Sequence, residues 1–250
     1  MATTPSPVPA PAEPAQMNAF ARMFGVLFSP GDTFRDIARA PGWIVPVIVY
    51  MVLGLLVIGV FSKRVGWDSF MRKQMERNAS FAQLPPDQQR QRIEMATKVA
   101  PYTSSGGVIV VNLASVLLVG AILMGAFRVA MGSNLNYKQS LGIVSYAYMP
   151  LAVGGVLGIV ILFLKDPQTV DLQNLVSANV GAFLAEETPR WQQALGQAID
   201  LFSFWVIFLL ATGFSVADPK KIKMGSALGV VIGAWVLWVL LKVGMAAAFS

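Results

Sequence analysis

Apolar and polar positions follow one another along this chain in long blocks. Charge-free apolar runs occupy residues 43–61, 107–127, 139–164, 201–217 and 225–241. A bilayer's hydrocarbon core of about 30 Å is crossed by about 20 helical residues, with about 17 as the lower limit. Runs such as WIVPVIVYMVLGLLVIGVF meet that length, and buried helices of soluble cores are shorter. The pattern predicts five transmembrane helices, at about 43–61, 107–129, 139–164, 200–217 and 225–245.

The segments between the runs carry their own periodicity. Residues 1–16, MATTPSPVPAPAEPAQ, hold one charge and no aliphatic cluster, which predicts a disordered Pro/Ala-rich tail rather than a signal peptide. Met17, Phe20, Phe24, Leu27 and Phe28 fall on one helical face, so an amphipathic helix is expected at the membrane interface. Ser29-Pro30-Gly31-Asp32 supplies an N-cap hydroxyl, a proline at the first helical position and a carboxylate at the third, starting a second short helix that ends before Pro41. Residues 17–41 thus read as interfacial helices, ahead of a transmembrane domain over 42–250.

The 62–106 connection reads as two amphipathic helices broken at Pro85-Pro86. Its basic residues are diluted by Asp68, Glu76, Asp87 and Glu94, as in a solvated connector. Asn78-Ala79-Ser80 has the form of a glycosylation acceptor. In the 165–200 connection, Leu172, Leu175, Val176, Val180 and Phe183 predict a helix, and Thr188-Pro189 starts another expected to run on into the fourth span.

Within the spans, Gly225, Gly229 and Gly233 recur every four residues, and Gly154 and Gly158 repeat that spacing, as do Ala121 and Gly125. Such stripes let helix backbones approach closely, within one chain or between copies. Pro150 lies inside the third span, where it frees the carbonyl of Tyr146 and predicts a kink beside Ser145, Tyr146 and Tyr148. Asp200, at the head of the fourth span, is the candidate for a functional charge within the membrane.

Composition narrows the chemistry. Hydrophobic residues make up 55% of the chain and charged residues 13%, and mean hydropathy is +0.61, far from the balance of a soluble domain. There is no cysteine and no histidine, which removes thiolate nucleophiles and the favoured ligands of zinc, copper and haem iron. The expectation is therefore no catalytic residue, no cofactor and no metal. The formal charge of +6 is spread through loops without a basic block, which argues against nucleic acid as a partner. If the N-terminus is cytoplasmic, the short loops place Arg128, Lys138, Lys220, Lys221 and Lys223 inside, as the positive-inside rule favours; the eight basic residues of the first loop pull the other way. Short loops report best on that rule, so the N-terminus is read as cytoplasmic and the C-terminus as external.

The order of certain residues against these spans resembles the Yip domain proteins, multi-pass membrane proteins named for eukaryotic members that interact with Ypt/Rab GTPases. The likeness covers most of residues 24–245. It is carried by Leu27-Phe28-Ser29-Pro30 with Phe34, Ile37 and Pro41, by Ser145-Tyr146-Ala147-Tyr148-Met149-Pro150-Leu151, and by Asp200-Leu201-Phe202 with Trp205, Leu209 and Gly213. The resemblance implies an all-α bundle of five transmembrane helices with a cytoplasmic N-terminus and a short external C-terminus. GTPase binding and vesicle trafficking are implied for the eukaryotic branch, whose Asp-Leu-Tyr-Gly-Pro type of motif is absent here. The chain looks more like the bacterial branch, which implies a bacterial inner membrane.

Abundant packing surface and little chemistry point to a non-enzymatic membrane scaffold, with the lipid bilayer and a membrane-protein partner or a second copy as its associates. The alternative is a transporter or channel component with a polar path near Pro150 and Asp200, lined by Ser145, Tyr146 and Tyr148.

Overall fold

The computed structural model describes residues 17–76, 79–185 and 188–248. In chain order its helices are α1 (Ala19–Phe28), α2 (Pro30–Arg39), α3 (Ile44–Arg64), α4 (Asp68–Glu76), α5 (Ala79–Ala82), α6 (Pro86–Met131), α7 (Tyr137–Ala147), α8 (Met149–Leu164), α9 (Arg190–Ala198), α10 (Leu201–Ala217) and α11 (Met224–Ala248). No strand occurs among the described residues; Asn179 and Asp200 form an isolated antiparallel bridge. The tail 1–16 and Asn78, which opens the Asn78-Ala79-Ser80 triplet, lie outside the described residues.

α3, α6, the α7–α8 pair and α11 are long and apolar enough to cross a membrane, and α10, with 17 residues, sits at the lower limit of about 17. The protein is a polytopic all-α membrane protein. Local sequence sets where its helices start and stop. Asn18 caps α1 by accepting from the Ala21 N–H, and Pro30 opens α2 at its first position. At the head of α7, Asn136 and Gln139 satisfy each other's backbone N–H groups in a capping box. Gly132 ends α6 in the left-handed region at φ 62°, where a side chain would be strained, and the Ser133 N–H reaches back to the Phe127 carbonyl.

Side-chain contacts fix the register of the bundle. α3 and α6 run antiparallel, with Gly54 against Val108. α3 and α8 run parallel, with Leu53 beside Gly155 near the middle and the Arg64 guanidinium 5.0 Å from the Phe163 ring centre at one end. α10 and α11 are antiparallel: Phe204 and Trp235 lie 6.0 Å apart, ring centre to ring centre, and Ser215 meets Met224. One large core joins α1, α2, α7 and α10 with parts of α3, α6, α8 and α11. A smaller one, around Phe61, Trp67, Ala100 and Leu162, closes the opposite end.

Several expected boundaries move. The helix that carries the second apolar run begins well before residue 107: α6 is one helix of 46 residues, about 69 Å at 1.5 Å per residue, more than twice the bilayer's apolar thickness. It starts at the expected Pro85-Pro86 break, so half of the first connection and the second span are a single rod, and Pro101 lies inside it. In the third run the disturbance falls on one residue within Tyr137–Leu164. Tyr148 leaves helical geometry between α7 and α8, and Pro150 stands in the first turn of α8, where its missing N–H is not needed.

The fourth helix does not extend backward. α9 ends at Ala198, and Asp200 adopts extended backbone as the N-cap of α10, because its carboxylate competes for the first-turn N–H groups. The helix expected through Leu172 and Phe183 is instead a set of 3-10 turns at Pro167–Thr169, Leu172–Asn174 and Val180–Phe183. Asn179 interrupts it: its side chain donates to Asn174 and accepts from the Ala182 N–H, which favours a turn over a helix interior.

Candidate functional site

The most heavily built part of the molecule is where the α1–α2 hairpin enters the bundle. Phe34 and Ile37 of α2 are fully buried. They fit because two glycines make room: a Cβ on Gly213 of α10 would lie 2.5 Å from Ile143 and 3.1 Å from the Phe34 ring, and one on Gly142 of α7 would lie 3.2 Å from Ile37. Beside them Phe127 stacks on Phe214 with ring centres 4.5 Å apart.

A buried charge pair holds the hairpin closed. Arg22 is 5% exposed and Asp36 is 8% exposed. The Arg22 Nε donates to Asp36 Oδ2 at 2.8 Å, Nη1 to the Ala40 carbonyl at 2.8 Å and Nη2 to the Asp36 carbonyl at 3.3 Å. One guanidinium therefore neutralises a carboxylate and caps the last carbonyls of α2, at the negative end of that helix's dipole. Tyr146 of α7 is buried in the same core as α1. Gln139 ties α7 to the hairpin, its Nε2 donating to the Ala38 carbonyl at 3.1 Å.

Other buried polar groups follow the same rule of serving a helix. Ser140 donates to the Gly120 carbonyl of α6 at 2.7 Å and Tyr137 to the Leu117 carbonyl at 2.9 Å, locking α7 across α6. Ser145 and Thr212 bond carbonyls within their own helices. The Tyr50 hydroxyl is buried without a hydrogen-bond partner.

The sequence candidates fall into separate groups. Pro30 starts α2, Gly213 packs against Phe34 of that helix, and Tyr146 is buried in the same core. Tyr148 and Pro150 mark the α7–α8 break, and Trp205 is a partly buried member of the large core. Asp200 sits at the head of α10, its carboxylate accepting from the Ser203 N–H at 2.9 Å and from the Ser203 hydroxyl. Of the packing glycines, Gly154 faces the Phe202 ring at 3.5 Å and Gly158 faces Leu175. Around Gly225, Gly229 and Gly233 a Cβ would meet no described atom within 4 Å.

Sequence reasoning missed the Arg22–Asp36 pair. The available signal was that Arg22 is the one charge between Glu13 and Asp32, set within an aromatic-rich helix. Nor did it foresee that the opposite face of α1 would pack into the bundle. Arg22, Met23 and Val26 turn into the bundle, whereas Phe20, Phe24 and Phe28 point outward.

A helical membrane bundle with a short hairpin clamped into its flank by one buried ion pair is the class that fold and site define. The chain belongs to the Yip1 domain family, whose model matches residues 24–248 and so takes in everything from the second half of α1 to the end of α11. Comparison with curated proteins finds no match, and neither does comparison with solved structures.

Proposed function

We propose that this protein is a non-enzymatic membrane scaffold that organises protein partners or lipids. The observation that carries the reading is the use to which its polar groups are put. Arg22, Asp36, Ser140 and Asp200 each cap or join helices, while large apolar faces of α3, α6 and α11 point outward. Gly225, Gly229 and Gly233 are the surface proposed for a lateral partner, a second copy or another membrane helix, since they face outward and lateral association in lipid favours side-chain-free stripes. The assignment to a bacterial inner membrane with the N-terminus cytoplasmic belongs to the same proposal.

Crosslinking from a photoreactive residue at Ile232, which is exposed beside the stripe, tests this reading in intact membranes. The expected result is one or a few discrete protein adducts. Lipid adducts alone at this position and at exposed control positions on α3 and α6 would overturn it. A transporter or channel component would instead give solute flux in reconstituted vesicles that Asp200→Asn or Pro150→Ala removes. Orientation is read by labelling single cysteines with an impermeant maleimide in intact cells. The probe of the α6–α7 loop is Asn134, which is exposed, whereas the neighbouring Ser133 is buried and donates to Asp218. Labelling at Ser177→Cys but not at Asn134→Cys is expected; the reverse pattern inverts the protein.

A further inference from the structure

We infer that α1 is embedded in one leaflet with Phe20, Phe24 and Phe28 among its acyl chains, and that the basic end of the bundle beside it holds that leaflet's anionic headgroups. The inference deepens the scaffold reading by naming a lipid as one of the components held. The three phenylalanines recur every fourth residue and are 62%, 66% and 82% exposed. They cannot rotate inward, because Arg22, Met23 and Val26 fix the opposite face in the core. The outward face carries no charge, the helix's one ionisable group being the buried Arg22.

The position of α1 excludes a berth in water beyond the spans. The helix packs against α3, α7 and α8, with Met23 and Val26 in the same core as Tyr50, Tyr146 and Met149. The phenylalanine row therefore lies level with apolar turns of the spanning helices. α3, against which α1 packs, carries an outward apolar row of its own in Ile44, Ile48 and Val52. Water at that level would leave three aromatic faces wetted on a rigid support, whereas an acyl layer covers them.

Charge complements this arrangement at the adjoining end. The α6–α7 and α10–α11 loops are stitched into one platform: Asp218 accepts from the Ser133 hydroxyl at 3.0 Å and the Asn134 N–H at 3.4 Å, and Lys221 donates to the Gly132 carbonyl. Asp218, the carboxylate of these loops, is thus occupied, while Lys138, Lys220 and Lys223 stay exposed. Lys138 precedes Gln139, which bonds the end of α2, so the platform adjoins the hairpin. Cations at headgroup height with aromatic side chains deeper is the order in which an amphipathic element meets an anionic leaflet.

The native chain has no cysteine, so one probe can be placed without background. Full-length Phe24→Cys carrying a spin label is reconstituted in phosphatidylcholine vesicles with and without phosphatidylglycerol. Accessibility to oxygen and to a nickel chelate is compared with Val52→Cys and Asn134→Cys. High oxygen and low nickel access at residue 24, as at residue 52, is expected. Nickel access like that at residue 134, or exclusion of both reagents by a protein surface, overturns the acyl-chain berth. Energy transfer from the bundle tryptophans to labelled lipid then reads preference for phosphatidylglycerol. Replacing Lys138, Lys220 and Lys223 by Gln should weaken that preference about fivefold per lysine, the equivalent of about 1 kcal/mol each. Lys242→Gln, near the other end of α11, should leave it unchanged. No preference in the parent protein, or none lost in the triple variant with its thermal unfolding intact, overturns the headgroup assignment. The scaffold reading stands or falls separately, on the protein adducts at Ile232.

Discussion

α10 and α11 are antiparallel neighbours, both charge-free over most of their length, yet they occupy opposite situations. In α10, Val206, Ile207 and the run from Leu209 to Phe214 are buried, whereas in α11 the buried residues are Ala227, Val231 and Val239. α10 is the axis on which α2, α7 and α8 converge, and α11 is a rim helix. Hydropathy does not tell them apart, because acyl chains are as apolar as a neighbouring leucine and both environments select the same residues. Glycine makes the contrast concrete: Gly213 sits where any side chain collides with Ile143, and Gly229 sits where a side chain meets nothing in this chain.

The largest effect expected is at the clamp that holds α2 against α10. Arg22→Ala removes the buried guanidinium from the Asp36 carboxylate and from the Ala40 carbonyl, and unfolding in mild detergent should show a loss of about 3–5 kcal/mol. A near-neutral result would mean that the hairpin is not docked and that α10 is less central than drawn. Next comes Gly213→Ala, for which overpacking against Ile143 and Phe34 predicts about 1–3 kcal/mol. Asp200→Ala should cost about 1 kcal/mol by removing the cap of α10, while Asp200→Asn, which still accepts from Ser203, should cost less. The smallest effect belongs to α11: Gly229→Ala should stay within about 0.5 kcal/mol in the monomer. A Gly229 variant as damaging as Gly213→Ala would erase the distinction between axis and rim.

The spans were legible because nothing else explains long charge-free runs. The start of α2 at Pro30 was equally plain, since proline acts locally, although the Ser29 hydroxyl expected to cap it makes no side-chain cap bond. What the sequence did not disclose depends on chain meeting chain. Nothing near Pro85-Pro86 says that α6 continues unbroken into the membrane, because helix continuity depends on α4 and on the Phe61–Trp67 cluster packed along it. Pro150 was recognised as a disruption, but whether proline kinks a helix or begins a new one is decided by Tyr148 leaving helical geometry. Asp200 was singled out for its charge, and in the structure it caps α10, a common place for an aspartate ahead of an apolar helix. Arg22 and Asp36 stand fourteen residues apart across a turn, a separation at which no helical periodicity links them.

The central claim is that the buried charges of this bundle are structural and that its associations run through its outer faces. The double variant Arg22→Met/Asp36→Leu tests it most directly, with unfolding and the Ile232 crosslinks measured on the same preparation. Replacing a buried ion pair by apolar groups of similar size is often neutral or stabilising. The account predicts recovery to within about 1 kcal/mol of the parent, together with an unchanged set of adducts. A double variant that folds as well as the parent but has lost its adducts would contradict the account, making the Arg22–Asp36 pair part of the working site.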